Sequence, residues 1–306
     1  MKHPPFLAPG ATVALVCPAG YMAREKTKAC VHELTSWGYR VILGSTVGGK
    51  STTYFSGTDK QRLLDLQQFL DDPKVDAVLC ARGGYGSTRI LDQIDWRGFK
   101  QHPKWIIGFS DITIFHGYMS RNLGISSIHG PMARAFDPNF GNPSDVRALQ
   151  AVLEGEATAC RGPRHAFNQL GTASAPVVGG NLSLIAHSIG TNACFKTKGK
   201  ILFLEDVGEQ LYNIDRMMLQ LKRAGMFKGL KGLILGGFTE SKDTERPFGK
   251  NSDEILAESV KEFRFPICFN FPISHDKTNF PIAIGQRYTL VVDKNGSRLS
   301  STKKGN

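Results

Sequence analysis

The sequence predicts an α/β protein with an N-terminal Rossmann-like parallel sheet, helices on both of its faces, and a smaller mixed α/β C-terminal domain. Three observations predict it. Short apolar runs alternate with amphipathic segments through the first half of the chain, polar or glycine-rich turns follow those runs, and this rhythm breaks after Leu153. Continuous apolar strands separated by helices mean βαβ units, because a parallel sheet is covered on both faces and its strands need no polar alternation.

In order, residues 11–17 read as a buried strand, 23–37 as a helix, 41–44 as a strand, 59–70 as a helix and 75–80 as a strand. A strand over 105–109 runs into Ser110 and a helix over 111–121, and a further extended segment covers 125–129. Residues 154–175 are rich in Gly, Ala, Thr and Pro without a sustained period and read as the interdomain crossing. The expected division is therefore an N-terminal domain over 1–155, a linker over 156–175 and a C-terminal domain over 176–306. The second domain has strands near 176–178, 200–204, 232–235, 267–271 and 288–292, and helices near 181–189, 214–223 and 252–262.

With 41% hydrophobic and 21% charged residues, the chain has the composition of a folded protein with a substantial core. No apolar run approaches the roughly 18–20 residues that span a bilayer. Residues 1–6 lack the apolar stretch of a secretory signal, so a cytoplasmic protein without membrane partners is expected. The six cysteines are scattered, form no C-x-x-C pair and mostly sit in apolar runs. They read as small core hydrophobes of a reducing compartment rather than as a disulfide framework or zinc site. The net charge of +11 raises nucleic acid as a partner, but the basic residues are dispersed apart from a short run at Lys303-Lys304. Attraction of a carboxylate-rich small substrate is a more natural use of the charge, with plain solvation the alternative.

Ligands of parallel sheets gather at the carboxyl ends of the strands. Three such ends carry unusual residues. Arg82-Gly83-Gly84-Tyr85-Gly86-Ser87 can turn tightly and present backbone N–H groups to an anion, although it matches neither G-x-G-x-x-G nor a Walker A sequence. Gly108-Phe109-Ser110-Asp111-Ile112-Thr113 places a serine between a strand and a helix, as in a nucleophile elbow, with Ile112 where a second glycine would stand. The competing reading of Ser110 is a helix N-cap. His129-Gly130-Pro131-Met132 either lines the same crevice or simply ends a strand. A serine nucleophile needs a base and an acid to orient it. Among eight histidines, His275 lies in a polar loop between apolar segments, and Glu205 and Asp206 directly follow a four-residue apolar run. Pattern alone does not choose between those two carboxylates.

Together these blocks, with Gly179-Gly180-Asn181-Leu182, Leu204-Glu205-Asp206, Ser274-His275 and Pro281-Ile282-Ala283-Ile284-Gly285, resemble the LD-carboxypeptidase family of serine peptidases, which also holds the microcin C immunity protease. The likeness follows the family's order over nearly the whole chain. It implies Ser110 as nucleophile, His275 as general base and acid, and Glu205 as the carboxylate orienting His275. The implied oxyanion hole uses the backbone N–H groups of Asp111 and Gly84; a free D-alanine carboxylate would need a basic group or backbone donors, for which Arg82, Gly83 and Tyr85 of the glycine loop are the candidates. The implied reaction releases terminal D-alanine from murein tetrapeptides in peptidoglycan recycling, in a homodimer, with no cofactor and no metal. A peptidyl-nucleotide hydrolase of the immunity type and a non-catalytic ligand-binding protein are the alternatives.

Overall fold

The computed structural model describes residues 1–302, so the basic pair Lys303-Lys304 lies outside the described residues. Strand β1 (Thr12–Val16) is buried at every position. Its alternate side chains enter different cores, as the two-residue period of a strand requires. Val13 and Leu15 pack with Cys30 and Leu34 of helix α1 (Lys28–Ser36), whereas Ala14 and Val16 pack with Leu66 and Leu70 of helix α2 (Asp59–Asp71). This double coverage is why the strand is apolar throughout. Helix α2 starts where Thr58 accepts from the Gln61 N–H and Gln61 reaches back to Thr58, a reciprocal cap.

Strands β2 (Arg40–Leu43), β3 (Ala77–Cys80), β4 (Trp105–Gly108) and β5 (Ile128–His129) extend the sheet, all parallel, in the order β2-β1-β3-β4-β5. The direction of winding reverses between β1 and β3, which opens a crevice above their carboxyl ends. Helices α3 (Ser87–Leu91), α4 (Arg97–Gln101), α5 (Thr113–Tyr118) and α6 (Pro143–Leu153) complete this half. The helix expected over 111–121 is a composite: a 3-10 turn over Ser110–Ile112, then α5, then a π turn over Met119–Leu123.

The second half builds on β6 (Ala159–Gly162), β7 (Gly171–Asn181), β8 (Ile201–Val207), β9 (Gly232–Thr239) and β10 (Ile267–Cys268), with helices α7 (Leu182–Ser188), α8 (Leu211–Arg223) and α9 (Ser252–Val260). Strands β7 to β10 are parallel. The chain then returns to the first sheet: β11 (Ile282–Ala283) pairs antiparallel with β5, Ile282 opposite His129. It ends in an antiparallel hairpin of β12 (Arg287–Asp293) and β13 (Gly296–Ser300), giving the order β10-β9-β8-β7-β12-β13-β6. Residues 156–175, expected as a linker, thus include β6 and the start of β7, both sheet residues. Their ladders run to β12 and β13 more than a hundred residues downstream, and local composition cannot report pairing at that distance. All six cysteines are free, and all but the half-buried Cys160 are buried. Burial pushes the Cys17 and Cys268 thiols up to about 12. No helix among the described residues is long and apolar enough to cross a membrane.

Candidate active site

Ser110 follows β4 with φ of +62°, a left-handed conformation that few residues other than glycine adopt. An N-cap residue is extended, and Phe109 rather than Ser110 holds that position, so this backbone argues against the capping reading; the Ser110 hydroxyl makes no hydrogen bond among the described residues. Several contacts hold the turn. His116 of α5 donates from Nε2 to the Gly108 carbonyl at 2.8 Å and accepts on Nδ1 from the Ser127 hydroxyl at 2.8 Å. Burial pushes the His116 imidazole down to about 4 and keeps it neutral. The Asp111 side chain turns away from the cavity, accepting from the Ser87 N–H at 2.7 Å, and burial, its largest influence, raises its pKa. Gly83 lies so close that a Cβ there would stand 2.9 Å from Ser110 Cβ and 3.2 Å from its Oγ, so a side chain at position 83 would displace the serine.

His275 and Glu205 come from the other half. The Glu205 carboxylate accepts from His275 Nδ1 at 2.6 Å. A carboxylate can only accept, so Nδ1 carries the hydrogen and Nε2 of the neutral ring is the free base; it has no partner among the described residues. Ser110 Oγ and His275 Nε2 are therefore both free and not bonded to each other, a looseness common in unliganded sites. Burial alone would lower the His275 pKa, but the charge and hydrogen bond of Glu205, with Asp206 and Glu240, outweigh it and raise the value. The Phe109 ring lies 4.8 Å from the His275 ring. Glu205 sits where the β8–β9 register shifts between Leu204 and Asp206. Opposite it, Gly236 allows the Ile273 carbonyl to approach: a Cβ there would stand 2.2 Å from that oxygen and 3.2 Å from Glu205 Cβ.

The two carboxylates left open by sequence pattern separate cleanly. Asp206 faces away from His275's ring nitrogen and accepts from Asn181 Nδ2 at 2.7 Å, the Ser183 N–H at 2.9 Å and the Val207 N–H at 2.9 Å. Burial and the Glu205 charge nevertheless raise it to about 7. Asn181 also donates its backbone N–H to Thr113 Oγ1 at 3.1 Å, so one residue connects β8 to the helix behind Ser110.

Ser110 and His275 share a cavity of about 790 Å³ between the two halves. Arg82, Gly83 and Gly84 line it, as do Pro131 and Met132, whereas His129 is buried beneath and hydrogen-bonds to Asn279 at 3.1 Å. Tyr85 does not reach the cavity; its exposed ring leans on Phe55, 5.9 Å away. Four basic side chains line the walls, Lys26, Arg82, Arg134 and Lys277, against two acidic ones, Asp145 and Asp276. Sequence pattern gives no reason to single out Asp145, which reads as an ordinary acid in the first turn of α6.

A serine on a strained strand-to-helix turn, facing a carboxylate-bound imidazole across an interdomain cavity, is the arrangement of a serine hydrolase. Residues 13–130 match the model of the LD-carboxypeptidase N-terminal domain and residues 174–290 that of the LD-carboxypeptidase C-terminal domain. The murein tetrapeptide carboxypeptidase of Pseudomonas aeruginosa is 31% identical over 296 residues, covering 94% of each chain. The Escherichia coli microcin C7 self-immunity protein is 24% identical over 345 residues, covering 99% of this chain and 97% of its own. The crystal structure of muramoyltetrapeptide carboxypeptidase from Oxalobacter formigenes superposes with a TM-score of 0.86 at 26% identity, over 97% of this chain and 100% of that one. The chain belongs to the LD-carboxypeptidase family and is an enzyme of that class.

Proposed function

We propose that the protein is a serine carboxypeptidase that hydrolyses the L,D-amide releasing terminal D-alanine from murein tetrapeptides, in peptidoglycan recycling. The observation that carries this reading is the pairing of a left-handed Ser110 with a carboxylate-oriented His275 at one cavity. In this reading Ser110 Oγ adds to the scissile carbonyl while His275 Nε2 takes its proton. The developing oxyanion is held by the backbone N–H groups of Asp111 and Gly84. The protonated His275, stabilised by Glu205, then gives the proton to the leaving amine of D-alanine. Water, deprotonated by the same nitrogen, releases the acyl-enzyme. The basic side chains around the cavity suit a substrate with several carboxylates, with Arg82 a contact for the terminal one. The family resemblance supports a homodimer, and a recycling role supports a cytoplasmic location.

Incubation with murein tetrapeptide, with free D-alanine followed by mass spectrometry, tests the reading. Release is expected from the native protein and a loss of about a thousandfold or more in Ser110→Ala. Retained hydrolysis in that variant would sink the mechanism. Turnover of a peptidyl-nucleotide but not of the tetrapeptide would shift the assignment to the immunity-type activity. Phe140 is the aromatic of the outer wall available for stacking, but the Arg134 guanidinium already covers its ring at 3.9 Å.

A further inference from the structure

Apart from Ser110 and His275, one part of the cavity wall carries polar groups with unmet requirements. Asp145 is buried, lines the cavity and accepts from the Asn279 N–H at 2.7 Å. It forms no ion pair with any basic side chain among the described residues. Burial raises its pKa, the response of a carboxylate removed from water without a cation. Asn279 lines the same cavity and is 4% exposed. Its Oδ1 is taken by His129 Nε2, which leaves the Nδ2 amide as a buried donor without an acceptor. Buried polar atoms are almost always satisfied in a working state, so the Asn279 amide points to an acceptor, while Asp145, satisfied in part by the Asn279 N–H, is a buried carboxylate without a counter-cation. Arg134 and Lys277 belong to the same two wall segments, residues 131–145 and 275–279, and line the cavity with them.

The two requirements are complementary. A desolvated carboxylate favours a cation, and an unpartnered amide donor favours an anion or carbonyl. We propose that Asp145 and Asn279 form a subsite for a zwitterionic amino-acid head, with Asp145 on its ammonium and the Asn279 amide, aided by Arg134 and Lys277, on its carboxylate. Resting on the peptidase reading, the head belongs to the side chain of the third peptide residue. Diaminopimelate carries both charges on its distal carbon, whereas lysine carries the ammonium alone and answers only Asp145. A site that must leave a buried polar group unpaired with the wrong ligand discriminates strongly against it.

The test measures binding by calorimetry to Ser110→Ala, using tetrapeptides whose third residue is diaminopimelate, lysine, or diaminopimelate acetylated on its distal amine. The diaminopimelate peptide is expected to bind at least about tenfold more tightly than either of the others. Adding Asp145→Asn keeps an oxygen for the Asn279 N–H but removes the charge, and is expected to erase the difference between free and acetylated amine. Equal affinities for the three peptides in Ser110→Ala would overturn the subsite, as would an Asp145→Asn loss that falls on all three alike. Discrimination in binding without D-alanine release by the native protein would keep the subsite and reject the hydrolysis reading instead.

Discussion

At His275, burial favours the neutral ring and the surrounding carboxylates favour the cation, and the carboxylates win, so its pKa stands above the ordinary 6.5. A general base must be neutral to accept the serine proton, so activity is expected to fall on acidification with a midpoint above 6.5. Glu205→Gln removes both the charge and the obligate acceptor for Nδ1–H. The midpoint of the acid limb is then expected to move down, and kcat to fall on the order of a thousandfold to ten-thousandfold as the wrong tautomer becomes accessible. Asp206, raised to about 7 by burial and by Glu205, is a second titrating group beside it. The limb therefore reports the cluster rather than one residue. Asp206→Asn separates the two, because it leaves the 2.6 Å His275–Glu205 bond intact. A pH–rate profile of kcat/KM for the three proteins checks this; an unmoved limb in Glu205→Gln would remove His275 from the base role.

At the scale of the element, the positions of Glu205 and His275 depend on the approach of the 271–279 loop to β9. Gly236→Ala would put a Cβ into contact with the Ile273 carbonyl, a backbone atom that cannot swing aside as a side chain does. An overpacking cost of about 1–3 kcal/mol is expected. Displacement of the loop should lower kcat by more than the substitution raises KM, although no site residue is changed. Urea unfolding combined with steady-state kinetics measures both; a variant as active as the native protein would mean that the loop is not set by this contact. Nothing in the run Leu233–Thr239 announces that role, since a Gly-Gly pair inside a strand reads only as a weak strand. The strands of both halves that lie in the middle of a sheet were legible because they are continuous apolar runs, as in β1, β3, β4, β8 and β9. Strands β6, β11 and β13 were not, because they are short, sit at or near sheet edges and owe their state to partners far along the chain. Ser110, Glu205 and His275 were legible as a set only through resemblance. Local pattern left Ser110 open to capping, and its +62° φ is a tertiary property that no propensity encodes.

At the scale of the whole molecule, the join between the halves is built from buried titratable groups whose responses to acid oppose one another. His116 and His129 are both held neutral by burial, His116 at about 4 and His129 well below the ordinary value. For a histidine whose folded pKa is depressed, the unfolded chain takes up the proton first as pH falls. Its contribution to stability is therefore complete above about 6.5 and lost between there and pH 4, amounting to about 3 kcal/mol for His116. The carboxylates Asp111, Asp145 and Asp206 have raised values, so the folded state takes up their protons first and gains stability over an overlapping range. The net acid response of the protein does not isolate either set, but a difference does. His116→Gln keeps an N–H for the Gly108 carbonyl and cannot ionise, so it costs stability at pH 7 through altered packing alone. At pH 4 the native protein carries the His116 penalty and the variant does not, so the gap between them should shrink by about 3 kcal/mol. Urea unfolding of both proteins at pH 7 and pH 4 measures it. A gap that stays constant would mean that His116 does not remain neutral against Gly108 and Ser127, and that the turn carrying Ser110 is held in some other way.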